Sequence, residues 1–346
     1  MKFKVIKRVT FAIAMLICLS AVLTSCGVKP IKSTEEEAAV VGTIGKFEVR
    51  YEELRYLVLN FKKDMALKYG EDIWTDPAKA ESYKDELWQN VSNNIVSDYY
   101  GVQAMADYYY VGGGAALMMN EDPILDAVQE TVELVVDECG SVKKYKEMLA
   151  SQYLTDNLFR FYNAAEECAT ELFYILVQDL GVIESSDDYI DAYFESDDFI
   201  RTNHIFISGV SEENLAKAQT LRDQLAASDN KEMELIMLKG IHCADYTMTT
   251  THGKYFARYT SDYGNEYELA AFDLGINQLS KVIETSEGYY IILRLEPEAD
   301  YIKANYDDFK DDILGSEFNK IIASYKSELE FKLNDYGKSI NILEIE

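Results

Sequence analysis

The stretch that decides the fold is Arg201-Thr202-Asn203-His204-Ile205-Phe206-Ile207-Ser208. It reads as an alternating β-branched strand, with Ile205 and Ile207 at the two-residue period. Its partners lie far downstream: Ser280 to Thr285 and Tyr289 to Leu295 read as two strands joined by a turn at Glu287-Gly288. Between them, Leu215 to Leu225, Met233 to Leu238 and Glu266 to Leu274 read as helices, so residues 200–298 form an α/β unit.

Outward from this unit the pattern turns helical. Val40 to Val49 reads as two short strands about a Gly-containing turn, and Leu54, Val58, Phe61 and Met65 then recur at helical spacing. Leu87, Val91, Ile95, Val102 and Met105 continue in one longer segment that Gly112-Gly113-Gly114 ends. A third helix takes Asp122 as N-cap and Pro123 as its first residue, buries Ile124, Val128, Val132 and Val135, and closes at Gly140. Ser141 caps the next, Leu158 to Leu180 makes another that Gly181 stops, and Asp187 to Ser196 is a short acidic helix. Beyond Pro297, Phe309, Ile313, Phe318, Ile322, Tyr325, Leu329 and Leu333 share one helical stripe, and Ile340 to Ile345 reads as a strand. Helical stretches on both sides of an α/β insert imply one domain, residues 38–199, completed by 299–346, with 200–298 as the second. The class is α+β.

The N-terminal end speaks of export. Lys2, Lys4, Lys7 and Arg8 precede an apolar run from Val9 to Leu23, a charged region followed by a hydrophobic one. The run is shorter than the roughly 20 residues a spanning helix needs. It ends in Leu23-Thr24-Ser25-Cys26, which resembles the bacterial lipobox. That resemblance implies a signal peptide over residues 1–25, removed on export, and lipidation of Cys26. The polar residues 26–37 then read as a tether. The expected location is extracytoplasmic, lipid-anchored to the cell membrane.

Composition narrows the partners. The formal charge is −28, and removal of a segment with four basic residues and no acid leaves −32. Such an excess disfavours nucleic acid and keeps a chain soluble. Apart from Cys18 and Cys26, only Cys139, Cys168 and Cys243 remain, an odd count that argues against a disulfide framework. His204, His242 and His252 form no ligand pair at a familiar spacing, so neither a metal nor another cofactor is expected. The α/β repeats of a solute receptor are missing.

Three segments of the insert occur in order and at the spacing of the parvulins, small peptidyl-prolyl isomerase domains. Asn203 to Ile207 resembles their opening strand, Glu268 to Leu274 followed by Gln278-Leu279-Ser280 their helix and turn, and Val282 to Thr285 with Gly288 to Ile292 their final hairpin. Val41 to Leu57 and Tyr189 to Phe194 match more loosely. The whole layout resembles PrsA-type foldase lipoproteins and, more distantly, SurA-type periplasmic chaperones. The resemblance places His204 as the first histidine of the family's pair and Cys243 or Asp245 at its cysteine or aspartate. It places Thr285 at a core hydroxyl, and Tyr263, Tyr267 and Phe272 in the proline cup. Ser280 falls at a turn.

Prolyl rotation makes and breaks no covalent bond; a pocket that favours the twisted amide over either planar form suffices. Here the second histidine of the pair is Tyr290, and the segment before the pocket is Gly253-Lys254-Tyr255-Phe256. Two functions therefore stand open. One is a tethered foldase that isomerises X-Pro bonds in unfolded or newly exported polypeptides, and the other a holdase or scaffold whose parvulin-like unit is inactive.

Overall fold

The computed structural model describes residues 29–110, 113–248 and 252–346. The expected signal peptide, Cys26 and Gly112 lie outside them. In chain order the elements are β1 (Val40–Ile44), β2 (Phe47–Arg50), α1 (Tyr51–Tyr69), α2 (Pro77–Asn94), α3 (Asp98–Tyr109), α4 (Ala115–Met118), α5 (Asp122–Cys139), α6 (Val142–Ser151) and α7 (Asp156–Tyr174). There follow α8 (Asp187–Phe194), β3 (Phe199–Ser208), α9 (Glu212–Ala227), α10 (Lys231–His242), β4 (Lys254–Ala257), α11 (Asn265–Phe272), β5 (Ile283–Thr285) and β6 (Gly288–Leu295). The last are α12 (Ala299–Ala304), α13 (Tyr306–Ser327), β7 (Phe331–Leu333) and α14 (Asp335–Ser339). Helices with small antiparallel sheets make this an α+β protein, as the sequence implies.

The chain divides into two compact units, one formed by residues 176–320 and the other by the described residues up to 175 together with 321–346. The α/β segment 200–298 lies wholly in the first, along with residues 176–199 and 299–320.

The first unit is built on an antiparallel sheet of order β4-β3-β6-β5. β3 pairs with β6 along its length, from Arg201 opposite Leu295 to Ser208 opposite Gly288. Helices cover both faces. Ile205, Ile207, Tyr289, Ile291, Leu293 and Leu295 pack under α9 and α10, and Phe206, Tyr290 and Ile292 pack under α11. Every residue of β3 except Ser208 is buried, so the alternation that reveals the strand sorts residues between two interiors and not between core and water. At the hairpin turn only glycine fits: Gly288 has φ 150°, and a Cβ there would lie 2.1 Å from the carbonyl oxygen of Ile207.

The second unit packs helices against a small sheet of order β2-β1-β7. Val41, Ile44, Leu54, Val58, Leu87, Val91, Ile95 and Tyr100 share one core, and Val132, Val136, Tyr145, Leu149, Leu158 and Phe159 another. Ser141 caps α6 as expected, its hydroxyl accepting from Lys144 N–H at 3.2 Å, and Gly140 ends α5 in the left-handed conformation. The polar segment read as a tether is fastened from Ile31 onward: its amide donates to Asp156 at 2.9 Å, and Ser33 donates to Glu52 at 3.0 Å. Among the described residues no helix is long and apolar enough to cross a membrane.

Several local readings differ from what formed. The segment from Leu87 to Met105 is two helices, because Ser97 is extended and Asp98 starts a new helix whose positive end favours its carboxylate. Glu121, not Asp122, holds the cap position of α5, and Val136 rather than Val135 is buried with Ile124, Val128 and Val132. The helical stripe stops at Ser327. Leu333 instead joins β7, which pairs with the open side of β1 from Gly42–Leu333 to Ile44–Phe331, a long-range ladder that overrides a local period. Ile340 to Ile345 forms no strand. Residues Ile342–Glu344 make a tight helical turn with Asn341 accepting from Leu343 N–H, which sends Ile342 and Ile345, three apart, into the same core.

The second unit also buries an acid. Glu53 is 5% exposed and accepts a 2.6 Å hydrogen bond from the Tyr100 hydroxyl. Burial drives its pKa up to about 7, the Tyr100 bond opposes this, and neighbouring Glu52 adds to it. The folded chain thus keeps a proton that the unfolded chain releases near the ordinary carboxylate value. This stabilisation is fully present below that value and is lost as pH rises through about 7, a span of up to about 3 kcal/mol. Glu53→Gln mimics the protonated form. Urea unfolding at pH 5 and pH 8 should show a smaller loss of stability with pH in this variant than in the parent chain; equal losses would mean that Glu53 is not the group titrating.

Candidate functional site

The alternation along β3 puts Thr202, His204 and Phe206 on the face covered by α11. After α10 the chain is stitched back to the same strand. Ala244 N–H donates to the Phe206 carbonyl at 2.8 Å, and Phe206 N–H donates to Cys243 Sγ at 3.3 Å. These bonds hold Asp245 beside His204. Tyr267 descends from α11, and Tyr290 stands on β6 opposite Phe206.

His204 has no exposed surface. Its Nε2 lies 3.1 Å from Asp245 Oδ2 and its Nδ1 3.1 Å from the Tyr267 hydroxyl, which is 3.0 Å from the Thr202 hydroxyl. Burial works against charge on Asp245, yet hydrogen bonds from His204 and from the Thr247 hydroxyl and amide outweigh it and hold the carboxyl well below its usual range. Burial also lowers the pKa of His204, against the pull of Asp245, so the imidazole is neutral. These two states fix the protons. An ionised carboxylate only accepts, so Nε2 carries the hydrogen, Nδ1 accepts from Tyr267, and Tyr267 in turn accepts from Thr202.

Aromatic rings close over this chain. His204 meets Tyr263, Tyr267 and Tyr290 edge-on, with centroids 4.7, 5.4 and 5.1 Å away. Tyr290 stacks on Phe206 at 4.4 Å and meets Tyr267 at 5.1 Å. Tyr267 is wholly buried and Tyr290 nearly so. The space around His204 is thus occupied by the chain's own rings.

The remaining candidates are placed as follows. Cys243 is half-buried; burial raises its pKa, so it is a thiol that accepts a backbone bond and not a thiolate nucleophile. Tyr263 is half-buried, with Lys254 Nζ 5.9 Å from its ring centre. Phe272 packs against the cluster that holds Phe206, Tyr267 and Tyr290, its ring edge-on to Phe256 at 5.6 Å with the Arg258 guanidinium 4.1 Å from its centre. Thr285 serves the hairpin turn, donating to the Gly288 carbonyl at 3.1 Å and accepting from Glu287 N–H at 3.3 Å. Ser280 hydrogen-bonds the backbone of Ile292 through its amide and hydroxyl. It is the Tyr267 hydroxyl that reaches the imidazole, while Tyr290 meets it with its ring.

Two members of the cluster escaped the sequence reading. Thr202 was accessible, since it lies two residues before His204 on the same strand face. Thr247 was not, because only the path of the loop brings it to Asp245. Among the described residues no group of three or more His, Cys, Asp or Glu side chains could hold a metal ion.

No family model matches the chain, and no curated protein does. Solved structures similar to it are PrsA foldases and SurA-like chaperones from several species. The foldase PrsA of Streptococcus pneumoniae is 17% identical over 71% of this chain and 89% of its own, with a TM-score of 0.34. The peptidylprolyl isomerase PrsA of Bacillus anthracis is 16% identical over 68% of this chain and 97% of its own, at 0.29. A SurA-like chaperone of Campylobacter jejuni is 11% identical over 86% of this chain and 99% of its own, at 0.29.

The cluster makes a prediction of its own. Tyr267→Phe keeps the ring and deletes the hydroxyl that joins His204 to Thr202, leaving two buried polar groups without their partner at a cost of about 1–3 kcal/mol. Urea unfolding measures this loss. Nitrogen-15 spectra of the parent chain should show His204 as the neutral Nε2–H tautomer at pH 6, and a protonated ring there would refute the hydrogen-bond order given above.

Proposed function

We propose that the chain is an extracytoplasmic chaperone, anchored through lipidated Cys26, that holds unfolded exported polypeptide without accelerating prolyl isomerisation. The carrying observation is the closure of the parvulin-like site. His204 and Tyr267 expose nothing, and the rings of Tyr263, Tyr267 and Tyr290 pack together beside them. Tyr267 is further tied through its hydroxyl to His204 and Thr202, which supports a site closed to a proline ring.

Holding a client asks only for accessible apolar surface, and the same unit offers some. Met233, Met237 and Ile241 follow one another at four-residue intervals on α10 and are 55%, 53% and 73% exposed, with Tyr246 just beyond. Methionine adapts to partners of varied shape. An apolar strip of this kind supports transient contact with unfolded chains. The export reading comes from the basic and apolar residues before Leu23-Thr24-Ser25-Cys26.

Uncatalysed X-Pro rotation takes roughly 10–100 s, which makes the test direct. In a protease-coupled or exchange-NMR assay with proline peptides the chain should leave that time unchanged, while it suppresses aggregation of a reduced model client. Acceleration that disappears in Tyr267→Ala would instead establish an isomerase. Anchoring is tested separately. Cys26→Ser should abolish incorporation of a labelled fatty acid and move the protein from the membrane to the soluble fraction, since stable attachment needs more than one acyl chain; continued lipid labelling would rule out Cys26 as the anchor.

A further inference from the structure

The second unit grips the chain close to the cysteine proposed as its anchor. Ile31 packs against the core that holds Val132, Tyr145 and Leu149, and its amide donates to Asp156 at 2.9 Å. Tyr145, from α6, donates to the other oxygen of the same carboxylate at 2.7 Å. Asp156 is 4% exposed, so this fastening belongs to the interior of the unit. Ile31 follows Cys26 by five residues, a span of at most about 18 Å at full extension. A surface that holds Cys26 is therefore within that distance of Ile31 and near the face that α6 presents.

This face carries charge of the minority sign. The chain has 61 acidic residues against 33 basic ones, yet α6 exposes Lys143, Lys144 and Lys146 with Glu147 as its one acid. Lys29 and Lys32 add two exposed cations on either side of Ile31. Lys143 lies 3.7 Å from Glu147, and among the described residues Lys29, Lys32, Lys144 and Lys146 have no ion-pair partner. Burial and the charge of Glu138 raise the pKa of the Cys139 thiol while Lys144 lowers it, which places Lys144 beside a residue packed on the same core as Ile31. Val142, 40% exposed, stands at the head of the lysines.

We propose that this face docks on an anionic lipid surface, with Lys29, Lys32, Lys143, Lys144 and Lys146 toward the headgroups and Val142 at the contact. The proposal rests on the anchoring at Cys26 and adds the orientation of the second unit on the membrane. Anionic headgroups attract lysines at close range and repel carboxylates. A chain of charge −28 is repelled as a whole, and at physiological salt such forces decay over about 8 Å. An anchor this short keeps the unit where the forces act, and they turn the lysine-bearing face toward the surface and the acidic remainder away.

The test uses the full mature chain, with fatty acid on Cys26 verified by mass, in nanodiscs of phosphatidylcholine with and without phosphatidylglycerol. A spin label on the headgroups should broaden the amide resonances of Val142, Lys144 and Lys146 by about threefold more in the anionic discs. Amides at Leu67, about 22 Å along α1 from Glu52, should respond alike in both. The contrast should vanish in about 1 M salt. Lys143→Gln, Lys144→Gln and Lys146→Gln together should reduce it by about threefold or more, and three glutamates in their place should abolish it. Urea unfolding checks that each variant is folded, and the glutamine set carries the test should the glutamates perturb α6. Absence of fatty acid on Cys26 sinks the anchor and the docking with it. A lipidated chain whose lysine amides broaden equally in both discs, or a contrast undiminished in the folded variants, sinks the docking alone. So does a response of these amides to soluble polyphosphate but not to the anionic discs, which would mark a site for a dissolved polyanion.

Discussion

The pairing of β3 with β6, covered on both faces, is the constraint from which the first unit follows. Once a strand has no solvent side, each polar side chain on it must find its partners inside the protein. Arg201 does so by donating to the carbonyls of His252 and Glu296 and to Glu232, and Arg294 by donating to the Leu274 carbonyl and Asp197. His204 does so through Asp245 and Tyr267. These bonds bind the loops and helices around the sheet to its two central strands, so the polar residues of β3 act as connectors between elements distant in sequence.

The same constraint encloses a cluster with the ingredients of acid–base chemistry. A carboxylate, an imidazole and a hydroxyl stand in line, an order that activates a nucleophile when the last group is open to substrate. Here the last group is Tyr267, wholly buried, with its pKa raised by that burial and its oxygen tied to Thr202. The imidazole is neutral and fully bonded. Tyr263, Tyr267 and Tyr290 form a packed cluster of rings around it. On α10 of the same unit, Met233, Met237 and Ile241 leave an apolar strip exposed.

Much of this was legible in the residues. The alternation in Arg201 to Ser208, the Glu287-Gly288 turn, the Gly140 stop and the Ser141 cap are local signals with local causes, and each appears where its chemistry demands. The misread places share a different cause. Leu333 lies on a helical period and yet joins β7, because β1 had an unfilled side; Ile342 and Ile345 look like strand residues and yet turn together into a core. Such choices depend on partners more than 250 residues away, which no window of sequence contains.

By itself, then, the sequence determined the α+β class and the central strand with its hairpin, since these follow from periodicity and turn chemistry, while the resemblance pointed to Asp245, Tyr263, Tyr267 and Tyr290 among the residues that gather about His204. Only the tertiary structure decided which tyrosine bonds the imidazole and that Thr285 serves the hairpin turn. Those outcomes hang on the distance and direction between side chains, and both are set by how elements pack rather than by where their residues fall along the chain.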